Sequence, residues 1–204
     1  MFALPFVLGF FFVSVNSQGS MTVGVNFDGT QSFSMRKPIL GDDKNQLSVI
    51  SQITKPTGVI TKGLSYDNVD GHGLSVTHTK IPSFGEQLTG AGRLNVLHND
   101  NHNLDVNAFA TRNMPTKFPG VPNFNTVGGN VDYMFKDRIG ATLGASHTPL
   151  FQRTDLTAMG KLNLYKTPTT RFDVNAGLQR SIMPQFSQTQ PFGGFSFTKF
   201  FKRR

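Results

Sequence analysis

The sequence contains no cysteine and no tryptophan among its 204 residues. Without cysteine, neither a disulfide framework nor a thiolate metal ligand or nucleophile is available. Long apolar runs are also missing. Residues 1–17 carry no charged side chain, but their apolar run is shorter than the ~20 residues that a membrane-spanning helix requires. This pattern is typical of a secretory signal peptide and predicts a mature chain that is secreted.

Acidic residues are scarce, and none follows Asp173, although the chain has 20 lysines and arginines and a net charge of +8. The C-terminal end is therefore cationic, and phenylalanines alternate with its basic residues. Such a surface favours polyanions such as anionic lipid headgroups and the phosphates of lipopolysaccharide, whereas no nucleic-acid-binding motif is present. We predict membrane or lipopolysaccharide contact by eight residues: Phe195, Phe197, Lys199, Phe200, Phe201, Lys202, Arg203 and Arg204.

Alternation of apolar and polar residues dominates the chain, and helical spacing is hard to find. Residues 104–110 and 127–135 alternate strictly, and polar or turn-forming stretches such as Asp28-Gly29-Thr30 and Lys136-Asp137-Arg138 separate such runs. We predict an all-β fold, an antiparallel meander or barrel-like sheet. The 20 phenylalanines and 21 glycines predict that large rings are buried beside bare backbone.

Two segments of the chain are related to each other. Residues 89–112 and 157–180 align without a gap at nine identical positions, which indicates a duplication with 68-residue spacing. The predicted organisation is a signal peptide at 1–17, an amino-terminal segment at 18–65, and two glycine-rich repeats. The first repeat covers 66–124, and the second covers 125–204 and includes the cationic aromatic end.

The stretch HNDNHN at 98–103 raises the question of a metal or acid/base site. Its second copy has Lys166, Pro168 and Thr170 where the first has His98, Asp100 and His102, so ligands would exist in one copy only. We therefore predict a solvated hairpin tip and no metal site.

Both copies have an aspartate at the same aligned position, Asp105 in the first and Asp173 in the second, which favours a structural role performed twice. The expected role is a cross-strand partner for Arg93 and Lys161, or a charge that protects a sheet edge. No hydrolase, metalloprotease, phosphate-binding or dinucleotide-binding motif occurs, so we predict no catalytic residues and no cofactor.

Several motifs in residues 66–200 resemble one family closely: HNDNH, FATRNMP, VPNFNTVG, DYMFKD and KTPTT. They resemble the attacins, inducible glycine-rich antibacterial proteins of insect haemolymph. That family's layout of a signal peptide, an amino-terminal segment and two glycine-rich domains matches the segmentation above. The chain departs from the family in its final Lys202-Arg203-Arg204 and in lacking an R-x-x-R processing site between residues 18 and 65.

The resemblance implies a secreted haemolymph protein that acts on Gram-negative bacteria. It implies binding to lipopolysaccharide and the outer membrane, raised permeability and reduced synthesis of outer-membrane proteins. An alternative stays open, in which a secreted β-barrel carries an apolar ligand or serves as a structural protein. The oligomeric state is open, as is loose order in water followed by folding on membranes.

Overall fold

The computed structural model describes residues 19–42 and 44–201, so the predicted signal peptide and Lys202, Arg203 and Arg204 lie outside the described residues. Within these ranges, no helix has the length and apolar character needed to cross a membrane. A short 3-10 helix, Pro149–Phe151, interrupts a series of twelve strands. The strands are β1 (Gly19–Asn26), β2 (Gln31–Gly41), β3 (Asn45–Lys55), β4 (Val59–Asn68), β5 (Gly73–Ile81), β6 (Gly85–His98), β7 (His102–Met114), β8 (Phe124–Phe135), β9 (Ile139–Thr148), β10 (Arg153–Thr167), β11 (Thr170–Met183) and β12 (Phe186–Phe201).

The twelve strands form one closed antiparallel barrel. Each strand pairs with its neighbours in the sequence, and β12 closes the barrel by pairing with β1 from Gly19↔Phe201 to Asn26↔Gly194. Closure of this kind removes both sheet edges, so the backbone groups along every strand find partners. The prediction of an all-β, barrel-like sheet is confirmed.

The barrel has two ends, which differ in their connections. At the terminal end lie Gly19, Phe201 and five tight turns, which join β2 to β3, β4 to β5, β6 to β7, β8 to β9 and β10 to β11. At the opposite end, the loop end, lie the other connections, including the longest, residues 115–123.

Side chains alternate between the lumen and the outer surface, and the polarity of the two faces is the reverse of that in a water-soluble barrel. Phe84 is the one buried hydrophobic side chain of the described ranges, whereas seventeen polar or charged side chains are buried. Phenylalanines such as Phe195 and Phe197 are exposed. The prediction that the large rings are buried is therefore wrong. The polar residues of each strand face the lumen, and the apolar residues face outward.

Predicted turns lie where the polar stretches occur. Gly29 has φ of 84° in the turn between β1 and β2, a conformation that glycine adopts without steric cost. Lys136 and Asp137 have φ of 49° and 54° between β8 and β9, which is the pattern of a type I′ turn, and the N–H of Arg138 donates to the carbonyl of Phe135. These hairpin predictions are confirmed.

The duplicated segments form corresponding hairpins, β6–β7 and β10–β11. In the first hairpin the pairing register shifts between Asn95 and Leu97, and in the second it shifts between Asn163 and Tyr165. The two irregularities lie 68 residues apart, at aligned positions of the repeat. Both repeats and the amino-terminal segment supply strands to the same barrel, and the boundaries given for them stay a prediction.

Candidate membrane-contact surface

An apolar outer face encircles the barrel. In β9 the outward residues Ala141, Leu143 and Ala145 alternate with inward Thr142 and Gly144, and Leu143 is 64% exposed. The same alternation continues around the barrel, and every strand presents at least one large exposed hydrophobic side chain. One from each strand in order is Met21, Met35, Ile53, Leu64, Val76, Leu88, Val106, Val131, Leu143, Leu156, Leu178 and Phe195.

The three tyrosines of the chain lie on this outer face, all close to the terminal end. Tyr66, Tyr133 and Tyr165 are exposed and stand near the last residues of β4, β8 and β10. The hydroxyl of Tyr66 donates to Oδ1 of Asn45 at 2.6 Å, and that of Tyr133 lies 2.6 Å from Nδ1 of His102. Each tyrosine thus has an apolar ring beside the apolar face and a polar tip near the barrel rim.

Most ionisable side chains on the outer face lie towards the ends of strands, whereas Lys37 and Lys62 stand closer to the middle of β2 and β4. The loop end carries the larger group of cations, and Glu86 lies among them with its carboxylate 3.2 Å from Nε2 of His78. The outward basic side chains towards the loop end are Lys55, Lys62, Lys80, Arg112 and Arg180, and those towards the terminal end are Lys37, Lys166 and Lys199.

The predicted contact residues form most of the C-terminal half of strand β12, which closes the barrel. Phe195, Phe197, Lys199 and Phe201 are exposed on the outer face, where the ring of Phe195 stacks on Phe172 with centroids 6.3 Å apart. Phe200 alternates to the inner side and is half-buried. The structure therefore brings four of the eight residues together on one face, and the last three lie outside the described residues.

Charged side chains line the lumen towards the terminal end. The carboxylate of Asp67, which is 3% exposed, accepts hydrogen bonds from the guanidinium groups of both Arg36 and Arg93, the latter at 3.0 Å. Lys161 donates to Asp132 at 2.7 Å. These residues lie on alternate strands of the closed sheet, β2, β4, β6, β8 and β10, and together they form an inner charge layer.

Asp132 has several further donors within the inner charge layer. Asn107 donates to it at 3.0 Å, and Asn130 and Thr142 donate to the same carboxylate. A carboxylate with this many donors keeps its charge satisfied without water. Sequence reasoning missed this layer, although charged residues in the middle of strongly alternating strands are a signal for it.

The duplicated aspartates do perform one structural role twice, and an asparagine is a hydrogen-bond partner in both copies. Asp105 accepts a hydrogen bond from the Asn95 side chain at 2.8 Å, and Asp173 accepts one from Asn163 at 2.9 Å. Asp173 also pairs with Arg171 at 2.7 Å, whereas Lys161 reaches Asp132 on another strand. The expected Lys161–Asp173 pair is therefore wrong, because the tilted strands place the lysine beside β8.

An aromatic cluster lies at the loop end. Phe84, 7% exposed, packs against Phe118 and Phe124 with centroids 6.1 and 6.2 Å apart, and Phe124 contacts Phe151 at 4.9 Å. Phe118 belongs to the long loop 115–123, whose Lys117 donates its backbone N–H to the carbonyl of Phe84. The long loop is thereby held against the turn that joins β5 to β6.

The histidine-rich stretch is a hairpin tip, as predicted. The side-chain oxygen of Asn99 accepts hydrogen bonds from the backbone N–H groups of Asn101 and His102, at 3.0 and 2.7 Å, which fixes the turn locally. His98 and Asp100 are exposed. Across residues 19–42 and 44–201, no three histidine or acidic side chains gather in a way that could hold a metal ion.

Two turns at the terminal end hold carboxyl groups with lowered pKa values. Lys166 donates a hydrogen bond to Asp137 at 2.6 Å, which lowers the pKa of Asp137 below its ordinary value of 3.8. Backbone N–H groups of Asn45 and Lys44 likewise lower the pKa of Asp42. Both carboxyl groups are ionised at neutral pH, so this rim carries fixed negative charges beside its lysines.

The family model described as attacin, C-terminal region, matches residues 82–201. This chain belongs to the attacin family. Among relatives, it is 50% identical over 191 residues to defense protein 3 of Lonomia obliqua, with 91% of this chain and 81% of that protein covered. It is 48% identical over 188 residues to an attacin of Bombyx mori (90% and 87% covered) and to attacin-B of Hyalophora cecropia (90% and 79% covered).

Solved structures with a similar fold include two porins. The KdgM porin superposes with a TM-score of 0.54 at 14% identity and the NanC porin with 0.62 at 7% identity. In both comparisons 90% of this chain is covered, with 99% and 100% of the porin chains. At this sequence identity the likeness shows a shared barrel fold and nothing more. Membership of the attacin family makes the chain an antibacterial defence protein.

Proposed function

We propose that this chain is a secreted haemolymph protein that acts on Gram-negative bacteria through lipopolysaccharide and the outer membrane. In this proposal, binding raises the permeability of the outer membrane and reduces the synthesis of its proteins. The observation that carries the proposal is the apolar outer face, on which Phe195, Phe197 and Phe201 stand exposed beside Lys199. An apolar face bordered by cations matches a surface of acyl chains bordered by phosphates.

The proposed contact begins with electrostatic attraction at the C-terminal end. Lys199, Lys202, Arg203 and Arg204 supply positive charge without a nearby acidic residue in the sequence after Asp173. This attraction weakens beyond a Debye length of about 8 Å at physiological salt. Burial of Phe195, Phe197 and the neighbouring outer-face residues in lipid then holds the protein after the encounter.

Removal of residues 195–204 is a poor test, because those residues include half of the strand that closes the barrel against β1. A variant in which Lys199, Lys202, Arg203 and Arg204 are changed to glutamine keeps the strand intact. We expect weaker binding to lipopolysaccharide, with the largest loss at low salt, and weaker killing of a Gram-negative bacterium together with less uptake of an excluded dye.

A matched control removes the same charge from the loop end, with Lys55, Lys62, Lys80 and Arg112 changed to glutamine. Equal losses in the two variants would assign binding to net charge and reject a specific role of the C-terminal end. Undiminished binding in the first variant would reject that role outright. Dye uptake that precedes the loss of newly made outer-membrane proteins would assign killing to permeabilisation.

The alternative of a carrier for an apolar ligand has less support. The inner wall is lined by serine, threonine, asparagine and ion pairs, such as that of Arg93 with Asp67. An apolar ligand in this lumen would leave these groups without water or compensating partners. Organic extraction of the purified protein, followed by mass spectrometry, is expected to yield no stoichiometric lipid.

A further inference from the structure

We propose that the closed barrel spans a lipid bilayer as a unit, with acyl chains covering its outer face on all twelve strands. This goes beyond the proposed function, which requires burial of one part of the outer face in lipid but no passage of the barrel through the bilayer. The occupant of the outer face is the hydrocarbon of a bilayer, and three features of the chain carry that choice.

The first feature is the circumference of the apolar face. A second copy of the chain or another protein would cover one side of a barrel and leave the opposite side in water. Large hydrophobic side chains are exposed on opposite sides, for example Met35 on β2 and Leu143 on β9. Only a continuous apolar medium covers all of them at once.

The second feature is that polar groups are paired within the protein or face the lumen. In hydrocarbon every backbone N–H and C=O must be paired within the protein, and a barrel closed by β1 and β12 meets this requirement. Charged side chains in the middle of strands, such as Arg93, Asp132 and Lys161, point into the lumen and form ion pairs there. Among the described residues, the outward cations nearest the middle of a strand are Lys37 on β2 and Lys62 on β4, and side chains of this length can lie along an apolar surface and place their charge among headgroups.

The third feature is the height of the apolar face. Strands range from 8 residues in β1 to 16 in β12, and about 9 to 11 residues tilted by ~45° cross a bilayer. Tyr66, Tyr133 and Tyr165 mark one edge of the apolar face, in the position where aromatic residues stand at the interfaces of membrane-spanning barrels. Lysines and arginines such as Lys55, Lys80 and Lys199 lie towards both edges, where their charged groups reach headgroups.

The absence of tryptophan allows a direct test with single tryptophan probes. Phe195→Trp places a probe on the outer face in the middle of β12. Phe192→Trp places a matched probe on the same strand but inside, since the ring of Phe192 lies over the lumen side of Gly177. Tyr133→Trp places a third probe at the rim of the apolar face. All three changes replace one aromatic ring by another.

Fluorescence is measured in phosphatidylcholine vesicles that contain lipopolysaccharide and lipids brominated at different acyl-chain depths. We expect emission from the probe at position 195 to be quenched several-fold more than emission from the probe at position 192, with strongest quenching by bromines near the bilayer centre. The probe at position 133 should be quenched best by bromines near the headgroups. Far-UV circular dichroism of each variant in the same vesicles checks that the barrel is folded.

Equal quenching of the probes at positions 195 and 192 would overturn the proposal, as would quenching at position 195 by shallow bromines alone. Failure of a folded chain to bind the vesicles would overturn it as well. Killing and lipopolysaccharide binding are measured for the same variants. If both persist while the quenching pattern fails, the proposed function stands and membrane spanning is rejected.

Discussion

The β6–β7 and β10–β11 hairpins arose from the same sequence, and their differences show which positions this barrel holds fixed. Both keep the register irregularity at aligned positions, and both keep a hydrogen bond between an asparagine and an aspartate across the hairpin, Asn95–Asp105 and Asn163–Asp173. The tips have diverged completely, from HNDNH to KTPTT. The geometry of the wall is therefore retained, while the exposed turns vary freely.

At one pair of aligned inward positions, the two hairpins place the larger side chain on opposite strands. The first hairpin pairs Ala91 with Phe109, and the second pairs Met159 with Gly177, so the large residue has moved to the other strand. In the second hairpin, the ring of Phe192 from β12 lies over Gly177. Each inward pair thus combines one large and one small residue, as close packing of paired positions favours.

The largest expected contrast between the hairpins concerns their aligned cations. Arg93 is 5% exposed and pairs with the buried Asp67, whereas the Lys161 side chain is 24% exposed and its partner Asp132 has other donors. We expect Arg93→Met to lower the free energy of unfolding by about 3 kcal/mol. Lys161→Met should cost about 1 kcal/mol. Urea unfolding in detergent micelles measures both, and equal losses would show that burial does not distinguish the two cations.

The second contrast concerns glycines on opposite sides of the wall in the second hairpin. A Cβ at Gly177 would lie 2.3 Å from the carbonyl oxygen of Ala158, whereas one at Gly160 meets nothing closer than 3.8 Å. Gly177→Ala should therefore cost about 2 kcal/mol through overpacking. Gly160→Ala should be neutral or slightly stabilising, because it reduces the freedom of the unfolded chain. The same unfolding assay decides, and a neutral Gly177→Ala would contradict the close approach of the strands.

The retained asparagines should behave alike in the two hairpins. Asn95→Ala and Asn163→Ala each remove a hydrogen bond to an aspartate side chain, and each should cost about 1 kcal/mol. Their double variant should lose the sum, since the two sites lie on different hairpins. A loss confined to one site would show that the duplicated bond has kept its importance in one copy only.

The smallest expected contrast lies at the tips. Lys166 donates to Asp137 and lowers its pKa below 3.8, whereas the aligned His98 has its Nδ1 3.3 Å from Asn103. A carboxyl group with a lowered folded-state pKa stabilises the fold above the unfolded-state pKa, and the stabilisation disappears as the pH falls through the folded-state value. Lys166→Gln should cost about 0.5 kcal/mol or less at pH 7, because both side chains are exposed.

That cost should vanish at pH values well below 3.8, where the Asp137 carboxyl is protonated in both the folded and the unfolded chain. Lys55→Gln is the control, since Lys55 takes part in no ion pair within the described residues. A pH-independent effect of Lys166→Gln would show that the lysine acts through packing. The measurement is urea unfolding at a series of pH values.

Much of the barrel could be predicted from the period-two alternation and the turn residues. The turns at Asp28-Gly29-Thr30 and Lys136-Asp137-Arg138 and the hairpin tip after His98 lie where the sequence predicts them. Closure could not be predicted, because the pairing of β1 with β12 joins residues from opposite ends of the chain and leaves no local pattern.

The sequence also did not indicate which face of each strand points into the lumen. Alternation distinguishes the two faces of a strand but does not show which face lines the lumen. The exposure of Phe195 and the burial of Asp67 therefore became evident only from the closed sheet. The duplication did indicate that the aspartates are structural. It could not identify their partners, because strand tilt carries Lys161 to Asp132.

The pairing of Gly19 with Phe201 has a consequence for how the chain acquires its fold. Eleven of the twelve strand pairings join neighbours in the sequence and can form while the chain is still being made. The twelfth pairing, between β1 and β12, can form only after β12 has been synthesised. The entropy cost of bringing these two distant strands together opposes it. A chain that ends before β12 therefore remains an open sheet with two unsatisfied edges, prone to pair with other chains. Closure of this barrel therefore depends on β12, the strand that also carries the exposed Phe195, Phe197 and Phe201.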